Sequence, residues 1–168
     1  LDYDLIDSLI EPGRSVLDVG CGDGELLAKL IENKNVCGKG IERDQDHIIS
    51  CIGAGVPVIH RDIEYGLSYY ADKSFDVVTL SQTLQTLKNP EAVLIELLRI
   101  GKKVIVSFPN FANWQCRLQL LLKGMAPTTR QLPFPWYTSP NIHCISINDF
   151  DRFCSKLGVK IEKKMALN

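Results

Sequence analysis

Long apolar runs are missing from this chain, and so is any strong excess of one charge. No stretch approaches the ~20 apolar residues that a membrane-spanning helix needs, and no signal-like segment opens the sequence. No membrane partner is therefore expected. Lys and Arg total 19 against 20 Asp and Glu, a net charge of −1, which argues against nucleic acid as a partner. Histidine is scarce: His47, His60 and His143 are scattered and none pairs with a cysteine at ligand spacing, so no metal site is expected. The six cysteines (21, 37, 51, 116, 144 and 154) contain no CxxC spacing. They are expected to be free, mostly buried thiols in a reducing cytoplasm. The chain opens on Leu1 without a methionine and closes just after a strand-like run, so it is expected to be a piece of a slightly longer protein.

What remains is a balanced sequence of 168 residues, 45% hydrophobic and 23% charged, expected to fold as one domain with a real core. Leu5, Ile6, Leu9 and Ile10 have helical spacing, and Glu11-Pro12-Gly13 stops that helix. Strands are expected at 15–19, 36–42, 56–60, 75–81 and 103–108. The helices between them are expected at 24–32, from an Asp44 cap to Gly53 or Gly55, and from Asn89-Pro90 through Arg99. This alternation argues a parallel sheet with helices on both faces. Ligands of such sheets bind at the carboxyl ends of the strands.

After residue 108 the pattern changes. A helix is expected over 113–122, then a Pro- and aromatic-rich stretch over 126–141 that is too long and apolar for an ordinary connector. Region 109–143 as a whole reads as a lid-like insertion. A further helix capped by Asn148 and stopped by Gly158 follows, and 159–165 reads as a sixth strand.

The first strand ends in Val16-Leu-Asp-Val-Gly-Cys-Gly-Asp-Gly-Glu25. Strand, glycine loop and helix together bring backbone close to a nucleotide-like ligand. The spacing is G-x-G-x-G over Gly20, Gly22 and Gly24 around Cys21, and Glu25 stands where a dinucleotide fingerprint has its third glycine, which weakens an NAD-linked reading. Strand two ends at Glu42-Arg43, where a carboxylate can accept from both hydroxyls of a ribose or simply serve as a cap. Strand three ends at Asp62-Ile63, where a carboxylate and a backbone N–H can read an adenine edge, or where Asp62 merely makes a turn. Ser81 and Gln82 close strand four. Asp18 lies inside strand one, and a buried carboxylate there needs hydrogen bonds. An acidic pocket suits a cationic sulfonium better than a pyrophosphate, which points to S-adenosylmethionine.

This set resembles the class I S-adenosylmethionine-dependent methyltransferases. The segment 17–24 is similar to their first motif, Glu42 to the acidic end of their second strand, and Asp62-Ile63 to their adenine contact. The resemblance implies a Rossmann-like, three-layer α/β/α sandwich whose last, antiparallel strand is missing here, and S-adenosyl-L-methionine as cofactor with S-adenosyl-L-homocysteine (SAH) as product. Further on, 80–85, Ser107-Phe-Pro-Asn-Phe111, Trp114, Arg117, 120–122, Leu132-Pro133 and Trp136–His143 resemble the methionine biosynthesis MetW family. That resemblance implies a role in methionine biosynthesis and association with homoserine O-acyltransferase (MetX).

Methyl transfer is an in-line displacement that needs alignment more than a catalytic motif, so the acceptor side is less legible. Asn110, Trp114, Arg117, Trp136 and Tyr137 are its candidates. Arg117 can grip a carboxylate or remain a surface charge. Trp136 and Tyr137 can wall a sulfonium, pack a lid or contact another protein. His143 is the candidate base, with a structural hydrogen-bonding role as the alternative. Two functions follow: a methyltransferase acting on a small molecule, and a non-catalytic, regulatory subunit of the acyltransferase.

Overall fold

The computed structural model of the chain describes residues 3–166. They fall into two compact units that meet in sequence at Ser107 and Phe108. The first alternates helix and strand: α1 (Tyr3–Leu9), β1 (Ser15–Val19), α2 (Glu25–Lys34), β2 (Cys37–Glu42), α3 (Gln45–Gly53), β3 (Val58–His60), β4 (Phe75–Ser81), α4 (Pro90–Ile100) and β5 (Gly101–Ser107). The strands form one sheet in the order β3-β2-β1-β4-β5, and every pairing is parallel.

Residue alternation on the strands explains the layers. Val16 of β1 and Val77 of β4 are register partners. They share a buried cluster with Ile6 and Ile10, with Leu26, Leu27 and Leu30 of α2, and with Cys51 of α3. Their neighbours Leu17 and Val78 point to the other face. There α4 packs on β4 and β5 through Leu94, Leu97 and Ile100, all at most 2% exposed. The parallel sheet is thus covered on both faces, as βαβ crossovers require, and the architecture is Rossmann-like α/β. Local chemistry sets the helix ends. Asp44 caps α3 by accepting from the Asp46 and His47 N–H groups, and Asn89 caps α4 ahead of Pro90.

The second unit holds α5 (Trp114–Lys123) and α6 (Ile147–Lys156), joined by an irregular segment. Two expectations are corrected here. The cap of α6 is Ser146, not Asn148: its side chain accepts from Asp149 N–H while the Asp149 carboxylate accepts from Ser146 N–H. This reciprocal capping box satisfies two orphan donors at once. The expected sixth strand at 159–165 does not form, because its alternating sequence finds no ladder partner among the described residues. Smaller differences lie at ends: β3 begins at Val58 and β5 at Gly101. Among the described residues no helix is long and apolar enough to cross a membrane.

Candidate functional site

The carboxyl ends of β1, β2, β3 and β4 carry the residues singled out in the N-terminal unit, and the sheet order places these four strands side by side. The glycine loop is shaped by backbone needs. Gly20 has φ 74°, and a Cβ there would lie 2.7 Å from Thr83 Oγ1. Gly24 has φ 82° at the start of α2, with Cys51 Sγ 2.9 Å from where its Cβ would be. A left-handed backbone pressed against a side chain admits only glycine. At Gly22, by contrast, a Cβ would meet nothing within 4 Å, so the loop's crest faces open space.

Glu42 is the organising side chain. It is only 8% exposed. Its Oε2 accepts from Gly22 N–H at 2.9 Å, and its Oε1 accepts from Arg43 and Asp44 N–H at 2.7 and 2.9 Å. One carboxylate therefore ties the glycine loop to the end of β2. A carboxylate offers about four lone-pair sites, so with three of them used Oε2 retains acceptor capacity. Asp18, 2% exposed, has its Oδ1 bonded by the Thr79 hydroxyl at 2.6 Å, which provides a partner for a carboxylate that would be costly to bury alone. Asp62 is half-buried, and its Oδ1 accepts from Glu64 N–H at 2.9 Å in a local turn; Ile63 is buried. Arg43 gives its carbonyl to His60 Nε2 at 3.0 Å.

At the end of β4, Ser81 and Ser107 hydroxyls meet at 3.1 Å, and Gln82 N–H donates to the Ser107 carbonyl at 3.0 Å. Gln82 takes a left-handed backbone, φ 50°. Gln85 Nε2 holds that turn by donating to the Gln82 carbonyl at 2.7 Å. Cys21 and Cys51 are buried with their sulfurs 3.9 Å apart. Burial, and next the Asp18 carboxylate, push the Cys21 thiol far above its ordinary range, so it stays protonated and packs rather than reacts.

The remaining candidates belong to the C-terminal unit. Asn110 and Arg117 line one cavity together with Ala112, Ser146, Ile147 and Asn148. Trp136 and Tyr137 meet edge-on with ring centroids 5.7 Å apart, and both are largely exposed, as is Trp114. His143 is half-buried. Sequence reasoning missed Thr79, Thr83, Cys51, His60 and Ser107, which contact Asp18, the glycine loop, Arg43 and Gln82 from distant positions and carry no local signal. It also missed Ser146, whose Ser-x-x-Asp spacing to Asp149 was a readable capping signal. Among the described residues no group of three or more His, Cys, Asp or Glu is arranged to hold a metal.

The chain is 34% identical over 174 residues to a bifunctional methionine biosynthesis protein MetXA/MetW of Rhodopirellula baltica, covering 98% of this chain but 28% of that one. Its fold matches a SAM-dependent methyltransferase from Archaeoglobus fulgidus with TM-score 0.68 at 19% identity, covering 93% of this chain and 68% of that one. It also matches the plantazolicin methyltransferase BpumL in complex with SAH, with TM-score 0.66 at 17% identity, over 92% and 58%. The family model for methionine biosynthesis protein MetW matches residues 1–168, and the chain belongs to that family.

Proposed function

We propose that this chain binds S-adenosyl-L-methionine at the carboxyl edge of its sheet and transfers the methyl group to a small-molecule acceptor in methionine biosynthesis. The observation that carries this reading is the Glu42 carboxylate, bonded at once to the glycine loop and to the end of β2. In this reading Glu42 turns the remaining lone pair of its Oε2 to the ribose hydroxyls. The backbone of Gly20, Cys21, Gly22 and Gly24 lies along the methionine portion. Asp18 supplies negative charge toward the cationic end, Asp62 and Ile63 read the adenine edge, and Arg43, Ser81 and Gln82 border the cleft. The open space over Gly22 fits this assignment. The likeness to a methyltransferase holding SAH supports it as well.

The cofactor, when bound, supplies a methyl group already activated by a positive sulfur. The chain's residues then align the acceptor and exclude water, a positional contribution that can supply most of the acceleration. His143 is proposed as the base for an acceptor that must lose a proton. Asn110, Trp114, Arg117, Trp136 and Tyr137 are proposed to hold the acceptor. Methyl-transfer assays with labelled cofactor against a metabolite extract test the reading: one labelled small-molecule product is expected, and no labelled product despite cofactor binding contradicts the transferase step.

A second reading has its own observation. The Rhodopirellula relative carries MetXA and MetW in one chain, which favours a regulatory subunit of homoserine O-acyltransferase (MetX) that binds the cofactor or SAH without transferring the methyl group. Such control requires the ligand to favour one of two states. Acyltransferase rates measured with and without this chain test it. A ligand-dependent change in rate is expected, and no association together with no change contradicts it.

A further inference from the structure

We propose that the cavity in the C-terminal unit is a binding site for the carboxylate of a small molecule. Its volume is about 180 Å³, and its walls are Asn110, Ala112, Arg117, Ser146, Ile147 and Asn148. That is far more than the ~15 Å³ one water occupies and less than the ~300 Å³ of drug-sized pockets. It suits a small polar ligand or the charged end of a larger one.

The donors on its walls come from three segments. Arg117 presents a planar fork matched to a carboxylate, and among the described residues no acidic side chain pairs with it. Arg14 and Arg99, by contrast, are engaged with Glu11 and with Glu96 and Asp72. Asn110 accepts from Ala112 N–H with its Oδ1 at 3.0 Å, which leaves its Nδ2 hydrogens to donate. Ile147 and Asn148 form the first turn of α6, where backbone N–H groups have no intrahelical acceptor. Asp149, the acidic residue of that turn, is bonded to the N–H and hydroxyl of Ser146 and is not part of the cavity wall. One guanidinium among neutral amides matches a single negative charge, whereas a phosphate dianion would leave charge uncompensated near Asp149. A second cavity of the unit, about 360 Å³ around Asp151 and Lys164, offers no such donor set, because its lysine is paired with its aspartate at 2.6 Å.

The identity of the anion rests on the transferase reading: there it is the acceptor's own carboxylate, which makes small carboxylic acids, amino acids included, the acceptor class. The binding measurement needs no transfer. The isotope-labelled full chain is titrated with butyrate, butyramide and inorganic phosphate and followed by amide NMR. Butyrate is expected to shift Asn110, Ile147 and Asn148 saturably, and butyramide is not. Arg117→Gln is expected to weaken butyrate by about tenfold or more without changing the helical circular dichroism. Asn148→Asp, which brings a carboxylate to the wall, is expected to weaken it as well and serves if Arg117→Gln fails to fold. An equal response to butyramide, a preference for phosphate, or unchanged butyrate affinity in the variants overturns the proposal. S-adenosylmethionine titrated into the same samples is read at Gly22 and Arg43. Butyrate binding without that response removes the transferase reading and keeps the carboxylate site; the converse removes only the site.

Discussion

The two units of the chain differ in how many of their apolar residues they bury. In the N-terminal unit Val16, Leu17, Leu27, Leu30, Ile41 and Leu97 are wholly buried. In the C-terminal unit Trp114, Leu121, Leu122 and Trp136 are between 71% and 81% exposed, while Cys116, Leu132 and Cys154 are buried. The first unit carries its own core, and its candidate ligand site is mostly backbone fixed by a few buried polar side chains. The second displays large apolar groups outward, as interaction surfaces do. Stability and cofactor binding should therefore respond to substitutions in the first unit, and binding of an acceptor or partner to substitutions in the second.

The largest expected effect is Leu27→Ala. Removing a side chain with no exposure leaves a cavity beneath the sheet and should cost about 2–5 kcal/mol in denaturant unfolding. A loss near zero would break the contrast at its strongest point. Next comes Glu42→Ala, which leaves the Gly22, Arg43 and Asp44 N–H groups without their acceptor. Cofactor affinity should fall by about 1–3 kcal/mol, measured by calorimetry. Asp62→Ala should weaken it by a similar amount if the adenine assignment holds.

Acid sharpens the same contrast. Lys102 and the Ser15 N–H and hydroxyl, which bond to Asp76, hold its carboxyl well below its ordinary value of 3.8. A depressed folded value means the stabilisation is complete above that ordinary value and is lost as pH falls toward the folded one. Asp76→Asn should therefore flatten the loss of stability below about pH 4 and leave the rest of the profile unchanged. The smallest effect belongs to the outward face of α5. Leu121→Ser should change unfolding stability by no more than about 0.5 kcal/mol, read by thermal denaturation.

Local signals were legible and distant ones were not. The strand–glycine–helix segment at 15–34 could be read because its turn, glycines and apolar spacing lie within one stretch. The Asp44 and Asn89 caps were readable for the same reason. The strand expected at 159–165 has the right alternation, but a strand exists only through a partner, and sequence does not reveal one. Glu42 was recognised as a carboxylate at a strand end. That it binds Gly22 depends on a residue 20 positions away, and the Thr79 bond to Asp18 spans 61. In the C-terminal unit, Asn110 and Arg117 meet Ser146 and Asn148 in one cavity only because an irregular segment returns the chain to α5's start, as the Phe111 N–H bond to the Ile145 carbonyl shows.

The Glu42-anchored glycine loop is proposed as the site for S-adenosylmethionine. Calorimetric titration of the chain with S-adenosylmethionine, SAH and NAD tests it most directly. Saturable binding of the first two, weakened in Glu42→Ala, is expected, and none of NAD. Binding of NAD with no response to the other two would contradict it.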